Sequence, residues 1–305
     1  MKAIILLAIL WLSPCIAADN DEQPPHLHRL ILGVYLPGLN DEVNVSDIRA
    51  AMDYWLQILS KDWSVDSNHT EFFVDINEMV RSFNNKQLDM ISAPPMTIIK
   101  HFNMKDLSDG FAGVIHTNEH ENSLVLLVKN HPDITNLESL RGKRLLIERD
   151  DELSDIFIDT QTRKQFNQSY TQFFSSIIFH KKNSQMILDL FFDKAEAALV
   201  YSTTYDVMVE LNPQIKSRTK ILLSYPFKTK SYGFFHRDFM LDNTLTLTTF
   251  LQQNFDHFQE DPRLQQLLIM YKTDALRVAR IEELAPFKTL YDEYLKYTSS
   301  KGKHK

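Results

Sequence analysis

Cysteine is nearly missing from this sequence: Cys15 is the single one in 305 residues. A disulfide scaffold and thiol chemistry are thereby excluded, and stability must rest on a hydrophobic core that a chain of this length can build. Glycine is scarce too, at seven residues, and neither G-x-G-x-x-G nor G-x-x-x-x-G-K-[ST] occurs. The glycine-rich loops with which many nucleotide binders cradle phosphate are therefore missing. Excess positive charge is absent: the net charge is −7, and the lysines at 301, 303 and 305 form only a short solvated tail. No nucleic-acid partner is expected of such a surface. No serine sits in a G-x-S-x-G turn, and no catalytic residue is assigned. His26 and His28, like His116 and His120, lack further ligands at recognised spacing, so neither a metal nor another cofactor is expected.

The N-terminus carries a targeting pattern. Lys2 gives a positive start, Ala3 to Leu12 is apolar, and Ser13-Pro14 breaks the run before Cys15-Ile16-Ala17. This predicts a secretory signal peptide over residues 1–17, cut near Ala17. The apolar run is shorter than the roughly 20 residues that span a bilayer. Pro14 stands where a lipoprotein box has a small residue, which favours soluble export, periplasmic or secreted, over anchoring through Cys15. Three N-x-[ST] triplets, at Asn44, Asn68 and Asn167, bear on a eukaryotic source alone.

Strand and helix patterns alternate along the rest. A polar lead-in covers 18–27. Leu30 to Leu36, Thr70 to Val74 and Leu88 to Ser92 read as strands, with amphipathic helices between them and another from Met96 to Phe102. The theme repeats with strands at 111–116, 123–128, 144–148, 175–179, 197–201, 221–225 and 232–236. Residues 243–297 read as helix almost throughout. This order predicts an α/β fold of two lobes. Each lobe is a mostly parallel sheet flanked by helices, and a helical C-terminal segment follows. The expected lobes are 28–115 with 230–298, and 116–229, before a basic tail at 299–305. His116 and Thr117 fall at the first crossing and are the candidate hinge.

Four phrases carry a resemblance: Leu88-Asp89-Met90-Ile91-Ser92-Ala93-Pro94, Leu137 to Ile147 around Arg141-Gly142-Lys143-Arg144, Ala195 to Val200, and Glu210-Leu211-Asn212-Pro213. Their order resembles type 2 periplasmic binding proteins of the phosphate/phosphonate-binding branch. The resemblance implies two lobes that close on a small polar solute and perform no chemistry. It also implies delivery to an ABC permease, and the protein is expected to be a monomer. A membrane sensor kinase is the alternative partner, and a secreted enzyme the third reading.

The resemblance implies ligand contacts in the loops after strands. They select Tyr35, Ser92, the run Glu148, Arg149, Asp150, Asp151 with Ser154, and Tyr201, Ser202 and Thr203. Tyr35 and Tyr201 either wall a pocket or sit half-buried at strand ends. Ser202 and Thr203 either bind a ligand or cap the helix they begin. The resemblance also implies a small hydroxyl-rich loop holding the anionic head where this chain has Asp150-Asp151-Glu152. Three carboxylates there repel a phosphonate. Either they are a solvated helix start, or they face the cleft and select a cationic or amine-bearing solute, with Arg149 as counter-charge.

Overall fold

The computed structural model describes residues 29–36, 49–50, 52–54, 67–114, 122–229, 231–240, 268 and 274–299. The signal-peptide segment, His26 and His28, the hinge candidates His116 and Thr117, His120, and the tail beyond 299 lie outside them.

Strand β1 (Arg29–Tyr35) opens the first sheet, paired in parallel with β2 (Ser67–Phe73) and β3 (Met90–Ala93). Helix α1 (Ile76–Asn84) makes the crossover, with Met79 and Phe83 buried and Asp75 accepting from the Asn77 amide at its start. Asp89 is 5% exposed and ties β1 to β3. It accepts from Arg29 Nε (3.0 Å) and Nη2 (2.7 Å) and from the Ile31 amide (2.8 Å). Such donors offset the cost of taking a polar group out of water. Helix α2 (Pro95–His101) begins directly after β3, where Pro95 suits the first turn.

The second sheet repeats the plan. Strand β6 (Arg144–Glu148) pairs in parallel with β7 (Ser176–His180) and β8 (Ala197–Tyr201). Helices α3 (Glu152–Phe166), α4 (Tyr170–Phe173) and α5 (Asn183–Phe191) connect these strands. Gly142 adopts φ 69° in the tight turn before β6, a conformation that glycine takes without steric cost. Helices α6 (Ser202–Leu211) and α7 (Gln214–Arg218) follow β8.

Five strands complete the sheets with antiparallel pairings. β4 (Leu107–Val114) and β10 (Tyr232–His236) pair within the first, and β5 (Ser123–Lys129) and β9 (Thr219–Pro226) within the second. The fifth, β11 (Ala275–Ala279), pairs with β4, and the orders are β11-β4-β10-β3-β1-β2 and β7-β6-β8-β5-β9. The two-sheet α/β plan with flanking helices is as expected, but the strand directions are mixed rather than mostly parallel. The strands that flank the two passages between sheets, β4 with β5 and β9 with β10, enter antiparallel.

One expectation is corrected outright. Ala275–Ala279 is a strand, β11, on the edge beside β4, inside the region read as helix. Ala, Leu and Arg favour helix locally. Here the free edge of β4 decides, and Ala275 and Ala279 bury against it. The chain then forms helix α8 (Ala285–Ser299), which packs on both α2 and α3. One apolar core runs through both sheets, from Phe73 and Ile91 to Leu126, Ile147, Phe157 and Phe287. A second cluster covers the other face of β5 and β8 with Met186, Ile187 and Leu190.

Candidate functional site

A cavity of about 490 Å³ lies between the two sheets. That is within the usual range for a small-molecule site. Tyr35, Val74, Pro94, Pro95, Met96, Thr97 and Lys100 line it from the first sheet and its helices. Asp150, Asp151, Glu152, Leu153, Asp155, Tyr201 and Phe227 line it from the second, with Thr229 on the return connection.

The turn between β6 and α3 builds the acidic wall. Asp150 takes φ 61°, a left-handed conformation that Asp tolerates better than most residues. This bend places Asp151 as the residue before the helix and Glu152 as its first. Acids suit a helix start because its unpaired amides carry partial positive charge. The half-buried Asp151 Oδ2 accepts from the Ser154 hydroxyl at 2.5 Å and from the Tyr201 hydroxyl at 2.9 Å. Burial raises the Asp151 carboxyl above its ordinary range, although both hydroxyls pull the other way. The Tyr201 phenol is raised as well, by burial first and then by the charges of Asp151 and Glu148. Its ring meets Phe227 edge-on at 5.8 Å. Asp155 is raised by burial and by its acidic neighbours Asp151 and Glu152, against a 2.8 Å hydrogen bond from Tyr170.

Glu152 reaches across the cavity. Its Oε2 accepts from Thr97 Oγ1 at 2.7 Å, and its Oε1 pairs with Lys100 Nζ and lies 3.3 Å from His101 Nε2. Burial would raise this carboxyl, but Lys100, Thr97 and His101 together hold it below the ordinary range. Above, Tyr35 has its hydroxyl raised by burial first, then by the charges of Glu152, Asp150 and Asp75.

Of the residues selected from sequence, Tyr35, Asp150, Asp151 and Tyr201 meet at this cavity. The others stand away from its wall. Ser92 is held within the first sheet, paired with Val34 and Gly233. Ser154 is fully buried and spends its hydroxyl on Asp151. Ser202 accepts from the Ser123 amide at 3.0 Å, an internal tie between α6 and β5. Thr203 is half-buried within α6. Glu148 accepts from Asn183 Nδ2 at 2.5 Å. Arg149 is exposed, and its amide donates to the His180 carbonyl at 2.8 Å. The cation beside the acids is Lys100 instead.

Thr97, Lys100, His101, Asp155 and Phe227 escape the sequence reading. The first three had a signal: positions i, i+3 and i+4 of one short helix share a face. Asn122 also escapes it. Its carbonyl accepts from the Phe227 amide at 2.8 Å and its Nδ2 donates to the Lys228 carbonyl at 3.1 Å, so the segments joining the sheets run side by side there. Among the described residues no helix is long and apolar enough to cross a membrane, and no group of three His, Cys, Asp or Glu is placed to hold a metal.

Solved structures share this fold. XAC2383 from Xanthomonas citri, bound to chloride ion, aligns with a TM-score of 0.63 at 11% identity over 89% of this chain and 99% of its own. A binding protein component of an ABC phosphonate transporter from Pseudomonas aeruginosa gives 0.57 at 9% identity, over 91% and 90%. PhnD1 from Prochlorococcus marinus, in complex with methylphosphonate, gives 0.56 at 14%, over 88% and 98%. At these identities the likeness shows the fold alone. No curated protein matches by sequence. Residues 40–275 match the family model described as ABC transporter, phosphonate, periplasmic substrate-binding protein. The match spans most of the chain, which therefore belongs to that family of two-lobed periplasmic proteins, binders of small solutes for an ABC permease rather than enzymes.

Proposed function

We propose that this protein delivers a small cationic or amine-bearing solute to its permease, in place of the phosphonate of the family's description. One observation carries this reading. Four carboxylates line the cavity, from Asp150, Asp151, Glu152 and Asp155, against the single ammonium of Lys100, which is already paired with Glu152. In a cleft of reduced dielectric, that balance attracts a cation and repels an oxyanion. Tyr35, Tyr201 and Phe227 supply aromatic walls suited to an ammonium or to the carbon part of an amine.

The working cycle is lobe closure. The first lobe comprises residues 28–115 with 230–298, and the second 116–229. Closure brings the acidic wall of α3 against α2, with the bend taken near the paired segments at Asn122 and Phe227. A ligand drives this only through contacts that the closed state adds. The signal peptide directs export and is cut near Ala17, and the solute-binding unit is the monomer. A sensor kinase in place of the permease is the second reading, favoured by the acidic replacement of the phosphonate-binding loop.

Thermal melting against polyamines, amino acids, methylphosphonate and phosphate tests the ligand class. A ligand at about 100 times its Kd adds roughly 2.7 kcal/mol of stability. The expected outcome is stabilisation by amines, lost in Asp150→Asn/Asp155→Asn. Stabilisation of the wild type by methylphosphonate and by no amine would reverse the assignment.

A further inference from the structure

We infer that Glu152 is a tethered anion occupying an oxyanion subsite formed by Thr97, Lys100 and His101, and that it thereby determines the cleft's specificity against phosphonate-like solutes. The inference rests on the cleft being the ligand site, but not on the ligand being an amine. Three side chains on one face of α2 converge on a single carboxylate that comes from the opposite sheet. They offer a hydroxyl, an ammonium and an imidazole N–H when Nε2 carries the proton. This is the set of donors that a phosphonate, sulfonate or carboxylate group needs. Thr97 is 3% exposed, and its Oγ1 donates to Glu152 Oε2 at 2.7 Å, so its partner in this cleft is an anion already.

The tether gives Glu152 its advantage. Only Arg149, Asp150 and Asp151 separate it from the end of β6, so the chain delivers its carboxylate at a high effective concentration. A free oxyanion must displace it and then lie beside Asp150, Asp155 and a Glu152 carboxylate that has lost its Lys100 partner. Because the donors overcome the effect of burial, the Glu152 carboxyl stays charged at neutral pH and does not vacate the subsite by taking up a proton. The same contacts join the two halves of the cleft, so the anion that would otherwise help close it is built into the chain.

Calorimetric titration of methylphosphonate, inorganic phosphate and sulfate tests this on the wild type, Glu152→Ala, Glu152→Gln and Glu152→Ala/Lys100→Met. Removing the carboxylate should tighten at least one oxyanion about tenfold or more, equivalent to about 1.4 kcal/mol. Adding Lys100→Met should abolish the gain. Glu152→Gln keeps the size of the side chain without its charge, and carries the test if the alanine variant fails to fold. Equal oxyanion affinity in the wild type and in folded Glu152→Ala and Glu152→Gln overturns the inference. So does a gain that survives Lys100→Met, which places the oxyanion elsewhere. Amines run in parallel separate the two proposals. Oxyanion gain in the variants with no amine binding to the wild type sinks only the amine reading. Amine binding without that gain sinks only the tethered anion.

Discussion

The Tyr201 hydroxyl donates to Asp151 Oδ2 at 2.9 Å, joining the end of β8 to the start of α3 beside the cavity. Ser154 donates to the same oxygen, so one carboxylate ties the first turn of α3 to the end of β8.

This pair predicts an unusual pH dependence. Burial raises the Asp151 carboxyl above its unfolded value, so the folded state holds that proton more tightly. The sign follows: its contribution to stability is fullest below the unfolded pKa and is lost as pH rises through the folded one. Denaturant titrations from pH 4 to pH 8 should show this loss in the wild type. Asp151→Asn, neutral throughout, should lack it. Tyr201→Phe should cost about 1 to 2 kcal/mol at neutral pH by leaving the buried acceptor short of a donor. An Asp151→Asn profile that parallels the wild type would exclude this carboxyl as the source.

Glu196 predicts the opposite slope. Its carboxylate accepts from Arg144 Nε at 3.2 Å, Nη2 at 2.7 Å and the Arg144 amide at 3.0 Å. The hydrogen bonds from Arg144, against some burial, hold its pKa down to about 2. Stability from this group is therefore present above the unfolded pKa and lost as pH falls toward 2. Glu196→Gln should remove up to about one proton from the acid-side uptake on unfolding. Potentiometric or denaturant titration between pH 5 and pH 2 measures it, and an unchanged proton count would rule Glu196 out.

Two glycines separate a steric role from a conformational one. A Cβ at Gly110 would lie 2.1 Å from the Gly233 carbonyl oxygen, at the bulged pairing of β4 with β10. Backbone cannot yield there cheaply, so Gly110→Ala should destabilise by about 2 kcal/mol or more. At Gly142 a Cβ meets nothing within 4 Å, but φ is +69°. Gly142→Ala should cost only about 1 kcal/mol, the penalty of a left-handed backbone. Urea midpoints give both values, and an equal cost would remove the distinction.

Legibility differed between fold and site for a physical reason. Arg144–Glu148 and Glu152–Phe166 were readable because apolar periodicity and an acidic helix start are local. Strand β11 was not, because Ala275 and Leu276 carry little strand preference and pair only where β4 leaves an edge free. In the site, Asp150 and Asp151 were visible as a departure from the loop that the resemblance implies. The partner of their neighbour Glu152 was not: Lys100 lies 52 residues away, and no spacing rule links them.

By itself the sequence determined the strand-and-helix order, the acidic turn after β6 and the resemblance that named the family. Those depend on side-chain periodicity and on residues that are neighbours in the chain. The tertiary structure alone decided that Glu152 is neither a solvated helix start nor partnered by Arg149. Folding sets α2 and α3 on opposite sides of one cleft, and a carboxylate leaving water there takes the nearest donors, which come from Thr97, Lys100 and His101.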